Sequence, residues 1–211
     1  MKNIHLLAAS FFSILLLAGC SKNLTDYYPD AEDPGLAIFS NSGNNLMTCY
    51  TKGKPWKTDD RFFSAIAGSG GGYHIRYEVY IFKQQSTTGN KDTLDISWTG
   101  TYVNDSVTIR NIGIKIPVAP DFSYRNFTAL RGQRISVDGT NGYFYTNGFS
   151  LPTGDIRGKG SIFFLTAQAD SLPTQRYTGK LSGIFEADFT GYTITRGRFD
   201  HTLDEGNLNF F

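Results

Sequence analysis

The sequence predicts an all-β protein, an antiparallel β-sandwich or flattened barrel of roughly ten or more strands. Three observations predict it. Apolar and polar residues alternate strictly in several short runs, which is the period of a half-buried strand. Turn dipeptides punctuate the chain at Gly89-Asn90, Asp138-Gly139, Asn141-Gly142, Asn147-Gly148 and Gly154-Asp155. From Leu36 onward no 3.6-residue apolar stripe runs longer than two turns. The 211 residues suffice for one domain with a sizeable core. Charged residues make up 18% and sum to a net charge of +1, which excludes the electrostatic footprint of a nucleic-acid binder. Two cysteines exclude a disulfide scaffold and a thiolate metal site.

The first element is MKNIHLLAASFFSILLLAGC, with a basic Lys2, an apolar run from Leu6 to Ala18 and the sequence Leu17-Ala18-Gly19-Cys20. The apolar run is too short for a permanent membrane span and has the layout of an export signal. Its end resembles the lipobox of bacterial lipoproteins, in which a branched aliphatic and two small residues precede a cysteine that receives a diacylglyceryl group. The resemblance implies a signal peptide over residues 1–19, cleavage before Cys20 and acylation there. Each buried CH₂ contributes about 0.8 kcal/mol, so two or three acyl chains, palmitate among them, hold a protein on a membrane durably. Cleavage would remove Lys2 alone among the charged groups, leaving 19 basic against 19 acidic side chains. Ser21 resembles the residue that directs lipoproteins to the outer membrane. Residues 20–35, with Pro29, Pro34 and no periodicity, read as the lipidated cysteine and a flexible tether.

Residues 36–211 then read as one β domain. In HIRYEVYIF, Ile75, Tyr77, Val79 and Ile81 share a face; in DTLDISW, Leu94, Ile96 and Trp98 do; in KLSGIFEADF, Leu181, Gly183, Phe185, Ala187 and Phe189 do. VTIRNIGIKI and GSIFFLTAQ are further strand-like runs. Asp121 to Leu130, following Pro120, reads as a short helix or a crossing loop. No linker divides the domain, and no repeat of fixed period is present.

Gly53-Lys54-Pro55-Trp56 near the start, and Gly183-Ile184-Phe185-Glu186-Ala187 leading to Thr193-Ile194-Thr195-Arg196-Gly197-Arg198-Phe199-Asp200 near the end, resemble a family of small Bacteroidetes lipoproteins. There an N-G-K-P-W turn opens the domain and an I-T-x-G-x-F-D strand closes it. Lys52 stands where that family usually has a small polar residue. The resemblance implies an all-β envelope lipoprotein and brings no catalytic residue with it. Physically, Gly53 and Pro55 suit a hairpin turn with Trp56 at the end of the core, and Gly183 and Gly197 suit places where an aromatic ring crosses a neighbouring strand.

Candidate chemistry is sparse. His74 and His201 lack any ligand spacing, so no metal and no cofactor is expected, and both read as surface or edge histidines. Asp200 and His201, adjacent in a strand, point to opposite faces and make no catalytic dyad. Gly68-Ser69-Gly70-Gly71-Gly72 precedes a strand rather than a Lys-Ser/Thr helix start, which excludes a phosphate loop. Cys49 reads as a buried small hydrophobe. The close acidic pairs Asp59-Asp60, Asp92 with Asp95, and Asp204-Glu205 read as solvated turn groups.

One segment, TNGYFYTNGF, carries a binding expectation. Alternation sends Phe144 inward and Tyr143 and Tyr145 outward, between the Asn141-Gly142 and Asn147-Gly148 turns. Exposed Tyr143 and Tyr145 beside Asn141 and Asn147 would form a contact surface for a glycan or an envelope protein. Asp92-Thr93-Leu94, Asp105-Ser106-Val107 and Asp170-Ser171-Leu172 resemble the acceptor for O-glycosylation of exported Bacteroidetes proteins, which marks Thr93, Ser106 and Ser171, provided they lie at exposed turns. The sequence thus points to a non-enzymatic lipoprotein of the bacterial envelope, anchored to the outer membrane, with a ligand- or partner-binding β domain. A glycan-acting hydrolase and a lipocalin-like carrier of a small apolar ligand are the alternatives.

Overall fold

A computed structural model describes residues 30–43, 45–58, 77–82, 92–102, 111–120, 122–147, 156–171, 177–203 and 208–210. Among the described residues there are eleven strands: β1 Leu46–Thr51, β2 Lys54–Thr58, β3 Tyr77–Phe82, β4 Asp92–Tyr102, β5 Asn111–Val118, β6 Arg134–Val137, β7 Tyr143–Asn147, β8 Ile156–Ser171, β9 Tyr177–Phe189, β10 Tyr192–Leu203 and β11 Leu208–Phe210. Eight of them close an antiparallel barrel in the order β1-β2-β4-β5-β7-β8-β9-β10, with β10 returning to β1. Closure leaves the ring without a free edge, the usual hazard of a long antiparallel sheet. Both interrupted positions follow one rule. β2 and then β3 lie along β4, opposite residues 100–102 and then 93–98. β6 and then β7 lie along β8, opposite 160–163 and then 156–158. β11 adds to β3 in parallel.

Alternation builds the interior. On β9, Leu181, Gly183, Phe185, Ala187 and Phe189 are buried while Lys180, Ile184, Glu186 and Asp188 are exposed. On β4, Leu94, Ile96 and Trp98 are wholly buried. Rings fill the middle of the barrel: Phe185 stacks on Trp98 at 5.3 Å and on Phe144 at 5.7 Å, and Trp98 and Phe164 both pack on Phe199. Such pairs add about 0.5–1.5 kcal/mol each beyond their buried area. Glycines make room for them. A Cβ on Gly197 would stand 2.6 Å from the Phe185 ring, and one on Gly183 would stand 2.8 Å from the Phe199 ring. The two glycines therefore sit where the sequence placed them, under aromatic rings of the neighbouring strand.

The opening hairpin turns on Lys52 and Gly53, both with positive φ, and Pro55 follows inside β2 rather than in the turn. Trp56 is fully buried, as is Cys49 opposite it, and burial pushes the Cys49 thiol well above its ordinary pKa. Residues 124–130 form a 3₁₀ helix capped by Ser123, whose hydroxyl accepts the Arg125 N–H. Asn126 returns the favour by accepting the Ser123 N–H, and Phe127 and Leu130 drop into the core.

Residues 30–35, tether-like in composition, are held on the barrel. Asp30 and Asp33 both take the Arg198 guanidinium, Asp33 also takes Arg196, and Leu36 is fully buried. The Arg198 hydrogen bond holds the Asp30 carboxyl below the usual carboxylate range. Farther on, Asp200 accepts the Ser40 hydroxyl and the N–H groups of Ser42 and Gly43 at 3.0 and 2.8 Å. The result is a strap, residues 30–43, laid across the outside of β1 and β10.

Candidate functional site

The expected aromatic surface is only half present. β7 pairs with β5 on one side and β8 on the other, so TNGYFYTNGF is not a free hairpin. The Asp138–Gly142 turn, tied by Asp138 accepting the N–H groups of Thr140 and Asn141, is an excursion between two strands that share the β8 edge. Those two bonds hold the Asp138 carboxyl below its ordinary value. Asn141 is exposed on that turn, whereas Asn147 ends β7 opposite Asn111, and Gly148 after it lies outside the described residues. Phe144 is fully buried, as alternation requires.

Tyr145 departs from the expectation. It lies on the outer face yet is only 7% exposed. Gly113 opposite it has no side chain, so the ring lies flat over the β5 backbone and its hydroxyl donates to the buried Asp95 at 2.8 Å. Lys115 completes the group, 3.5 Å from Asp95 and over the Tyr145 ring. Period-2 reading gives the face but not whether a glycine beside it draws the ring down. Tyr143 is half-buried beneath the Arg157 guanidinium. Tyr145→Ala is therefore expected to cost about 3–5 kcal/mol and Tyr143→Ala about 1 kcal/mol or less. Tyr145→Phe, which removes only the hydroxyl bond, should cost about 0.5–1.5 kcal/mol. Urea unfolding of the three variants checks the ranking, and equal costs for the two alanines would contradict this placement.

Other expected positions fall as follows. Thr93 lies in the middle of the sheet, paired with Phe82 on one side and Pro117 on the other and half-buried, so it lacks the exposed turn a glycan acceptor needs. Ser171 ends β8 opposite Tyr177. Cys20, Ser106, His74, the Gly68–Gly72 loop and the acidic pairs 59–60 and 204–205 lie outside the described residues. His201 is not an edge histidine: it is wholly buried inside the barrel, while its neighbour Asp200 faces outward and holds the strap. Trp98 Nε1–H donates to His201 Nε2 at 2.7 Å. An indole N–H can only donate, so Nε2 carries the lone pair and the imidazole is neutral. Burial lowers its pKa to about 3. Among the described residues no three His, Cys, Asp or Glu side chains converge as a metal site would require.

A cleft does exist, and the sequence did not announce it. It has a volume of about 490 Å³ and lies on the outer face of β8, β9 and β10, between the strap and β6. Strand register builds it. Arg134, Phe163, Ile184 and Arg198 stand opposite one another on β6, β8, β9 and β10, and Ser161 opposite Glu186 forms the next row. A bulge in β10, where Arg196 takes a φ of 51°, carries Arg196 into the same space. Phe39 and Asp33 of the strap close one side. Ile184 is 40% exposed, an unusual outlay of apolar surface at the bottom of a charged depression.

The charges there are not equivalent. Arg196 and Arg198 already hold Asp33. Arg134, exposed, meets no carboxylate among the described residues; it lies over the Phe163 ring, with Nη1 3.4 Å from Ser161 Oγ. Glu186, also exposed, meets no cation among them. The chain matches no protein-family model, no curated protein and no solved structure. The cleft must be read from its own chemistry: an apolar floor, one guanidinium lying over a ring, a hydroxyl and one open carboxylate.

Proposed function

We propose that the chain is a lipid-anchored binding module of the bacterial envelope, without catalytic activity, whose barrel presents the outer-face cleft to a ligand. The observation that carries the binding half is the cleft itself, in which a persistent apolar surface at Ile184 is surrounded by partly uncommitted polar groups. Pockets of several hundred Å³ with a few placed polar groups are the usual form of a ligand site. The ring-filled interior favours this outer surface over an internal carrier cavity. The lipobox ending at Cys20, and the likeness of the GKPW and ITRGRFD segments to Bacteroidetes lipoproteins, support the anchor and an outer-membrane location. The strap gives that anchor a geometric consequence. Cys20 and Asp30 are ten residue steps apart, and an extended chain of that length reaches at most about 35 Å. Asp33 in the cleft wall would therefore stay near the lipid surface.

Labelled palmitate tests the anchor: incorporation into the wild type and not into Cys20→Ala is expected, and equal labelling of both would refute it. Binding is tested on the full chain with immobilised saccharides and peptides. Ile184→Arg is expected to abolish every interaction of the wild type while leaving the melting temperature unchanged, because the side chain is already partly in solvent. Interactions that survive Ile184→Arg unchanged would remove the cleft as the binding surface.

A further inference from the structure

From the arrangement of Arg134, Ser161, Ile184 and Glu186 we infer that the cleft takes a carboxylated saccharide, a glycan containing a uronic-acid type of sugar. This rests on the cleft being the binding surface. Arg134 is the one guanidinium of the cleft without an acidic partner among the described residues, and its planar fork lies over the Phe163 ring. A planar fork pairs best with a planar carboxylate, through two parallel hydrogen bonds. The neighbouring pair shows the same chemistry satisfied internally, since Asp33 sits on Arg196 and Arg198.

The remaining groups select among carboxylates. Glu186 can only accept when ionised, so a ligand beside it must bring donors, which sugar hydroxyls supply. Its charge also disfavours a polyanion such as a phosphate cluster, leaving a single negative charge for the single open arginine. Arg134 and Glu186 stand two strands apart and two residues out of register in the outer-face sheet, about 12 Å at the backbone. That separation is too wide for the carboxylate and ammonium of one amino acid and suits opposite ends of a sugar unit. Ile184 between them offers an apolar floor for the C–H face of a ring, and Phe39 a half-buried aromatic wall.

The test is the dissociation constant of the full chain for a galacturonic-acid disaccharide, its uncharged methyl ester and a glutamate tripeptide. The acid sugar is expected to bind, and the ester to bind at least tenfold more weakly. Arg134→Gln should weaken the acid at least tenfold without altering the ester, and Arg134→Lys should keep part of the preference. Glu186→Ala should weaken the ester, whose hydroxyls the carboxylate would accept, more than the acid, which is also relieved of a like charge. Equal affinity for acid and ester, an Arg134→Gln variant that binds the acid normally, preference for the peptide, or no binding of the acid would each overturn the inference. If the acid is bound equally by wild type and Ile184→Arg, the cleft reading itself fails, an outcome separate from a wrong ligand class.

Discussion

Phe185→Ala is expected to lower the free energy of unfolding by about 3–5 kcal/mol, among the largest effects of any single truncation in this barrel. Phe185 is almost wholly buried and stacks on Trp98 nearly parallel, at 4°, with Phe144 stacked on it as well. Its ring also covers Gly197 on β10. Removing it leaves a void between facing walls that are hydrogen-bonded into a closed ring and cannot collapse together, which places the cost toward the upper part of the range. Gly197→Ala attacks the same contact from the other side, because the new Cβ would stand 2.6 Å from the ring. That overpacking should cost about 1–3 kcal/mol in the wild type. In the Phe185→Ala background the clash is gone, so most of the Gly197 cost should vanish. A double-mutant cycle by denaturant unfolding reads this coupling. Additive costs would show that the ring does not rest on the glycine.

The same pair shows why so much of the fold was legible. Period-2 alternation identified the inward residues of β9 from Leu181 to Phe189, because a strand packed on one side has no other way to hide its apolar groups, although Ser182 on the opposite face is buried as well. Gly183 and Gly197 were readable as ring crossings for a local reason: in each case the aromatic is the residue directly opposite in the neighbouring strand, Phe199 and Phe185. Closure of the ring was not legible. It depends on β4 meeting both β2 and β5, and no pattern within β4 encodes which strands flank it. The strap was misread for an instructive reason. Asp30 and Asp33 in a proline-containing polar stretch have the composition of a solvated linker, and only Arg196 and Arg198, more than 160 positions later, make them part of the body.

The cleft was hidden in the same way. Arg134, Ser161, Ile184, Glu186 and Arg196 come from four strands, and each alone reads as an ordinary solvent-facing residue of an alternating run. Ile184 held the one available signal, an aliphatic side chain on the polar face of an otherwise regular alternation in β9. Tyr145 failed as an exposed anchor because Gly113 lies in a strand whose pairing the local sequence does not reveal.

His201 gives the second large effect, and it depends on pH. In the folded barrel the imidazole is neutral and its Nε2 accepts the Trp98 N–H. Protonation would replace that lone pair with a second donor facing a donor, in a wholly buried setting. The folded pKa of about 3 lies below the ordinary value of 6.5. Between those two values the unfolded chain binds a proton at this site and the folded chain does not, so acid draws the equilibrium toward unfolding. Stability contributed by His201 is fully present above pH 6.5 and is lost as pH falls toward 3, at about 1.4 kcal/mol per pH unit. By pH 4.5 the loss should reach roughly 3 kcal/mol. The carboxylates Asp30 and Asp138, held below their usual range, lose their contributions only at still lower pH, below the interval from 6.5 to 4.5. His201→Gln keeps an acceptor for Trp98 but carries no titrating group. Unfolding free energies of wild type and His201→Gln, measured every half pH unit across that interval, should show the wild type losing roughly 3 kcal/mol relative to the variant between pH 6.5 and 4.5. Two parallel curves would mean that the imidazole accepts its proton in place and that the indole bond does not fix its charge.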